Sequence, residues 1–205
     1  MNKLSIYCAD VGSISAKKFG WAAKRCNEDK IVIGTEIEDF SSMISDSIRL
    51  GEKVAIGFEC PLFVPMRSEP KRVNSARKGE GNRSWSAGAG TGALATGLVE
   101  VLWVMNAVTE SLGYAPHAQF SWSEFQTTDS VFLWEAFVTA DAKGVSHADD
   151  AVIGITAFLN SLEDFESSNA IDEDSVLSLV GAAALRANWS HDPQVLSEPC
   201  HVIKA

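Results

Sequence analysis

The sequence lacks the cysteine patterns that mark disulfide scaffolds and zinc modules. Its four cysteines, Cys8, Cys26, Cys60 and Cys200, include no C-x-x-C pair and no neighbouring histidine at zinc-ligand spacing. We therefore expect buried thiols, without disulfides and without a structural zinc ion.

Long hydrophobic runs are also missing. The longest apolar-rich stretch, residues 93–108, carries Glu100 and Asn106 and is shorter than the roughly 20 residues that a bilayer demands. No basic region precedes an apolar one at the start of the chain. These features predict a cytoplasmic protein that does not associate with a membrane.

Basic residues are scarce, with 17 Lys and Arg against 27 Asp and Glu and a net charge of −10. Aromatic residues make up 9% of the 205 residues and apolar residues 46%, which excludes a disordered acidic chain. A chain of this length buries about 70% of its unfolded surface on folding. We expect one domain over residues 1–205, with a core over about 4–162 and a C-terminal helical extension over about 163–205.

Apolar periodicity and turn residues predict an alternation of strands and helices. Residues 54–58 form a nearly continuous apolar run after a helix, which favours a strand buried on both faces, parallel to the first strand. The predicted strands are 4–9, 19–24, 30–35, 54–59, 117–122 and 131–138, and the predicted helices are 39–50, 91–112, about 146–162 and about 173–188.

Three carboxylates stand immediately beside apolar elements. Asp10 follows the first strand, Glu59 ends the fourth, and Asp150 lies in the first turn of a late helix. Singly, each is typical of a turn former or of a residue that complements a helix dipole. If the two strands are parallel neighbours, however, the three carboxylates meet at one sheet edge. Such a cluster requires divalent cations to neutralise it, which predicts two-metal phosphodiester chemistry.

These residues resemble the ribonuclease H-like superfamily, and within it the predicted nucleases of domain-of-unknown-function family 429. The resemblance rests on CADVG, VAIGFECPLFVP, LWEAF and HADDAVIGITAFL and covers residues 4–162. It implies an α/β fold with a mixed five-stranded sheet flanked by helices. It also implies that Asp10, Glu59 and Asp150 bind Mg²⁺ or Mn²⁺, and it marks Glu135 as a further acidic position without an assigned role. The family commonly has Asp where this chain has Glu59.

Two residues beside Asp150 have two interpretations each. His147 lies three residues before Asp150, a pair that RuvC-type resolvases of the superfamily also present, but it is equally well an exposed residue near a helix start. Asp149 occupies the third helical position if Ser146 is the N-cap, which favours a capping role over metal ligation.

A basic loop follows Glu59. Residues 66–83 hold six of the chain's basic residues and a local charge of +4. We predict that Arg72, Arg77 and Arg83 position phosphates, the alternative being a solvated loop that neutralises the acidic surface. Trp85 either stacks on a base or clamps the loop to the core.

Together these features predict a metal-dependent nuclease that acts on DNA or RNA. Asp10 would bridge two ions, Glu59 and Asp150 would bind one each, and His147 would assist proton transfer or ligation. Two alternatives stay open. Actin-like and sugar-kinase-like nucleotide-binding proteins share the opening turn but need a duplicated core. A catalytically inactive binding or scaffold module agrees with the net charge of −10.

Overall fold

A computed structural model of the chain describes residues 4–81, 84–139 and 141–205. Within these ranges the chain alternates short strands and helices. The strands are β1 (Leu4–Asp10), β2 (Gly20–Lys24), β3 (Val32–Gly34), β4 (Lys53–Glu59), β5 (Phe63–Pro65), β6 (Ala118–Gln119), β7 (Val131–Phe137), β8 (Val176–Ser178) and β9 (His201–Lys204). The α-helices are α1 (Ile37–Arg49), α2 (Ala89–Leu112), α3 (Trp122–Thr127), α4 (His147–Ser161) and α5 (Leu179–Arg186).

The main sheet is mixed and has seven strands in the described part of the chain, two more than predicted. Its order is β3-β2-β1-β4-β7-β6, and β9 also pairs with β7. β1, β2 and β3 form an antiparallel meander, whereas β4 pairs parallel with both β1 and β7. The predicted parallel pairing of the first and fourth strands is confirmed. β5 and β8 form a separate two-stranded sheet.

Helices cover both faces of the main sheet, which is why its central strands are apolar on both faces. In β1, Tyr7 and Ala9 belong to a core with α1, α2 and α5. Ile6 and Cys8 alternate with them and belong to a second core with α3 and α4. Alternate residues of each central strand therefore face opposite sides of the sheet, which determines on which side the carboxylates at the strand ends lie.

The structure corrects three predicted elements. The strand predicted at 117–122 is limited to β6, because Ser121 caps α3 by accepting a hydrogen bond from the backbone of Glu124. The final helix begins at Leu179 rather than near 173, since β8 precedes it. The extension is only partly helical, and β9 returns to the central sheet beside β7.

α2 is 24 residues long and, by length and composition alone, is apolar enough to cross a membrane. The sequence prediction rests only on its segment 93–108, which is too short to do so. In this fold α2 packs against α1 and α5 and buries Val104. It also buries Glu100, which accepts a hydrogen bond from the backbone N–H of Gly12 at 3.2 Å. The helix therefore holds the turn that follows β1.

The four cysteines, all within the described ranges, form no disulfide. Cys8, Cys60 and Cys200 are buried as predicted, whereas Cys26 is half-buried.

Candidate metal centre

The carboxyl ends of β1 and β4 bring Asp10 and Glu59 together. The two strands are parallel and in register, so that Asp10 lies directly opposite Glu59. By the alternation along each strand, Asp10 shares a face with Cys8, and Glu59 shares a face with Ala55, on the α4 side. Asp10 is buried and Glu59 is half-buried.

The first turn of α4 supplies the third carboxylate. Ser146 is the N-cap: its Oγ accepts a hydrogen bond from the Asp149 backbone N–H (3.2 Å) and donates one to the Asp149 carboxylate (2.8 Å). This geometry supports the interpretation in which Asp149 belongs to the N-terminal cap of the helix. The next residue, Asp150, is buried beneath the helix start.

A glycine in β2 allows α4 to come this close to the sheet. Gly20 pairs with Asp10 across the antiparallel ladder. A Cβ atom at Gly20 would lie 2.2 Å from the backbone nitrogen of Ala148 and 2.6 Å from Cβ of His147. Only a glycine therefore permits the first turn of α4 to rest on the strand end.

The three predicted ligands meet at one point. One carboxylate oxygen from each of Asp10, Glu59 and Asp150 lies within 4.8 Å of the others. A donor set of carboxylate oxygens suits a hard divalent cation such as Mg²⁺ or Mn²⁺. The residues present therefore fit the ion that the sequence predicted.

Burial and crowding perturb two of these acids. Burial, more than any other effect, raises the pKa of Asp10 to about 6. Burial and the adjacent Asp10 carboxylate raise the pKa of Glu59 to about 9, despite the opposing charge of Lys143. A cation between the carboxylates would remove this penalty, because it favours their charged forms.

Lys143, in the loop before α4, belongs to the acidic cluster and was not predicted from the sequence. Its ammonium group lies 3.1 Å from Oδ2 of Asp150 and 3.6 Å from Oε1 of Glu59. The backbone N–H of Gly144 donates to Oδ1 of Asp150 at 2.6 Å. Lys143 thus holds a positive charge among the carboxylates, and its side chain is 40% exposed.

His147 contacts the cluster directly. Its Nδ1 lies 2.5 Å from Oδ2 of Asp10, and its ring is 41% exposed. Of the two interpretations of His147, this contact supports the one in which the residue belongs to the acidic site. Asp10 orients the ring through Nδ1, which leaves Nε2 as the nitrogen that can exchange a proton.

Glu135 lies near the carboxyl end of β7, opposite Phe58 of β4. Its side chain shares the sheet face of Phe58, which is opposite to the face that carries Asp10 and Glu59. Both of its oxygens accept from the Arg77 guanidinium, at 2.6 and 2.8 Å, and the Leu62 backbone N–H donates to it at 2.9 Å. Arg77 also donates to Glu80 at 2.7 Å. The structure assigns Glu135 and Arg77 to a buried ion-pair network that anchors the loop after β4.

A partly open cavity of about 660 Å³ adjoins the acidic cluster. Asp10, Glu59, Lys143 and His147 line it together with the buried ion pair of Glu135 and Arg77. Much of the remaining wall comes from the start of α2, where the lining residues are Gly88, Ala89, Gly90, Gly92, Ala93 and Thr96. Its volume is that of a typical small-molecule site.

The arginines predicted to hold phosphate are placed differently. Arg77 is buried and paired with two carboxylates, which favours a structural role over the predicted phosphate contact. Arg72 is exposed on a short 3₁₀ turn and is not among the described residues that line the cavity. Arg83 lies outside the described residues.

Other parts of the basic loop are tied to the acidic segment after α4. Arg67 forms two hydrogen bonds of 2.7 Å with Glu173, and Lys78 pairs with Asp174 at 2.9 Å. Trp85 donates from Nε1 to the backbone carbonyl of Ser75 at 3.0 Å. Of its two interpretations, this contact supports a clamp within the loop.

Comparison of the chain with protein-family models, with curated sequences and with solved structures finds no match.

Proposed function

We propose that the chain is a divalent-metal-dependent hydrolase of phosphodiester bonds in nucleic acid, with a ribonuclease H-like fold. One observation carries the proposal: three carboxylates from three separate elements converge within 4.8 Å at the carboxyl ends of two parallel strands. Acidic groups repel each other at this distance, so the arrangement suits a site that binds cations.

The topology supports the same proposal. An antiparallel meander of β1, β2 and β3 is followed by α1 and by the parallel strand β4, and α4 packs across β1 and β2. This is the element order that the sequence resemblance implies. β6 and β9 extend the sheet beside β7, away from the acidic cluster on β1 and β4.

Asp10, Glu59 and Asp150 would hold Mg²⁺ or Mn²⁺, which activates a water and stabilises the leaving oxygen when bound. Hydrolysis forms a bond from the water oxygen to phosphorus, breaks the bond from phosphorus to the leaving sugar oxygen, and transfers a proton to that oxygen. His147, oriented by Asp10, is placed to move this proton. Lys143 offers a cation that can leave the carboxylates for a substrate phosphate.

Calorimetric titration of Mn²⁺, together with cleavage of labelled DNA and RNA, tests the proposal. We expect the wild-type chain to bind Mn²⁺ and to cleave only in its presence, and we expect Asp150→Asn to weaken Mn²⁺ binding by more than about 100-fold. Asp149→Asn is the matched control, because it removes an adjacent carboxylate that accepts a hydrogen bond from the N-cap Ser146 instead of joining the cluster, and it should leave metal affinity unchanged.

Each result has a clear meaning. Metal binding without cleavage of any substrate would indicate an inactive binding module and contradict the hydrolase proposal. A wild-type chain that binds no Mn²⁺ at millimolar concentration would remove its physical basis.

A further inference from the structure

The cavity beside the acidic cluster limits what the site can accept. Its volume of about 660 Å³ is within the range of pockets that enclose single small molecules, about 300–1,000 Å³. A nucleotide fits this volume, whereas a duplex has to remain outside it. A partly open cavity of this volume at the candidate metal centre favours a substrate that inserts rather than one that lies across the surface.

Three of the described basic groups near the site are already paired with carboxylates. Proteins that bind long nucleic acids neutralise several phosphates with Lys and Arg side chains. Here Arg67, Arg77 and Lys78 are each paired with a carboxylate, and the chain carries a net charge of −10. These three side chains are therefore not placed to follow a long polyanion, which favours a short substrate held by the cavity.

The charge within the cavity matches one phosphodiester. Among the described residues, two cationic side chains, Arg77 and Lys143, face five carboxylates when Asp150 is included with the lining residues Asp10, Glu59, Glu80 and Glu135. Two divalent cations would convert this local excess of three negative charges into one positive charge. A single phosphodiester carries one negative charge and would neutralise it.

Apolar and small residues also line the cavity, which suits a base or sugar. Phe137 and Val138 contribute apolar surface at the end of β7, and the small residues at the start of α2 leave room along the helix.

Resting on the proposed function, we infer that this site hydrolyses phosphodiesters at the terminal nucleotide of a single strand, which it encloses in the cavity, and not bonds within a duplex or a closed circle.

Gly92 provides a variant that tests enclosure directly. It lies in α2 and lines the cavity, and a Cβ atom there would meet nothing within 4 Å. Gly92→Leu therefore fills the cavity without a clash at Cβ, and replacing a helical glycine favours the helix. Ala95→Leu adds an identical side chain to the same helix at an exposed position that is not among the described lining residues.

The experiment supplies the full chain with Mn²⁺ and four probes: a dinucleotide, a labelled single strand, the same strand closed into a circle, and a duplex. We expect cleavage of the dinucleotide and release of mononucleotides from the linear strand, with the circle and the duplex intact. Gly92→Leu should lower kcat/KM on the dinucleotide by about tenfold or more. Its Mn²⁺ affinity should be that of the wild type, and Ala95→Leu should retain full activity.

Cleavage of the circle or the duplex as fast as the linear strand, or full activity of Gly92→Leu, would overturn this inference and leave the proposed hydrolase function standing. Absence of Mn²⁺-dependent cleavage on all four probes would overturn both.

Discussion

The two ends of β4 carry buried or half-buried glutamates with opposite surroundings. Glu52, just before the strand, accepts hydrogen bonds from Ser5, at 2.6 Å, and from Ser47, and faces Arg25 at 3.6 Å. Glu59, at the other end, faces Asp10 and Asp150 and has Lys143 as its cation.

The pKa values record this difference. Burial raises the pKa of Glu52, but hydrogen bonds from Ser47 and Ser5 outweigh it and leave the pKa below its usual range. At Glu59, burial and the neighbouring acid act in the same direction and raise the pKa to about 9. A structural carboxylate such as Glu52 collects hydrogen-bond donors from the fold, whereas Glu59 faces two other carboxylates with Lys143 at 3.6 Å, an arrangement that a divalent cation would stabilise.

Neutral substitutions of the two glutamates should have the largest effects, and these effects on the free energy of unfolding should be opposite in sign. We expect Glu52→Gln to lower the free energy of unfolding by about 2–3 kcal/mol, because its serine donors and Arg25 lose their charged acceptor. Glu59→Gln should raise it by about 1 kcal/mol in EDTA, because glutamine is neutral without the proton uptake that a Glu59 pKa of about 9 demands on folding. Urea denaturation at pH 7.5 measures both. Destabilisation of equal size in the two variants would show that Glu59 is an ordinary structural residue.

The pH dependence sharpens the same contrast. The folded-state pKa of Glu59 is about 9, above its ordinary value, so the group favours folding fully below about pH 4.5 and loses this contribution as pH rises through 9. In EDTA, the gain in Tm from Glu59→Gln should therefore grow between pH 5 and 9, by several degrees. Thermal unfolding measured across this range checks the prediction, and a gain that shrinks with pH would contradict it.

Removal of the Lys143 ammonium group should have a smaller effect than the glutamate substitutions, and it should act on metal affinity. Lys143→Met removes a positive charge 3.1 Å from Asp150 that competes with a metal ion, so we expect Mn²⁺ affinity to rise by about tenfold. Lys78→Met is the control, because Lys78 pairs with Asp174 on the exposed surface and should leave Mn²⁺ affinity unchanged. Weaker binding by Lys143→Met would mean that the lysine organises the site rather than competing for it.

Much of the candidate centre followed from local sequence patterns. The apolar run of β4 indicated a buried strand parallel to β1. Because parallel strands end at one edge of a sheet, this pattern was sufficient to predict that Asp10 and Glu59 meet. Recognising Ser146 as the N-cap likewise placed Asp149 at the third helical position, which distinguished it from the candidate ligand Asp150.

The rest depends on contacts that a single sequence does not display. Glu135 pairs with Arg77 across 58 positions, and Arg67 with Glu173 across 106, so the sequence did not show that these two arginines are already paired with carboxylates. Lys143 lies in a loop without periodicity that would aim its side chain. β9 is four residues long and is recognisable as part of the sheet only by its pairing with β7.

Crystals of the wild-type chain soaked in MnCl₂, measured near the manganese absorption edge, test the central claim most directly. The account predicts an anomalous peak within about 2.5 Å of oxygens from Asp10, Glu59 and Asp150, with the Lys143 ammonium displaced from Asp150. A cluster without a peak, with Lys143 still in contact with Asp150, would contradict it.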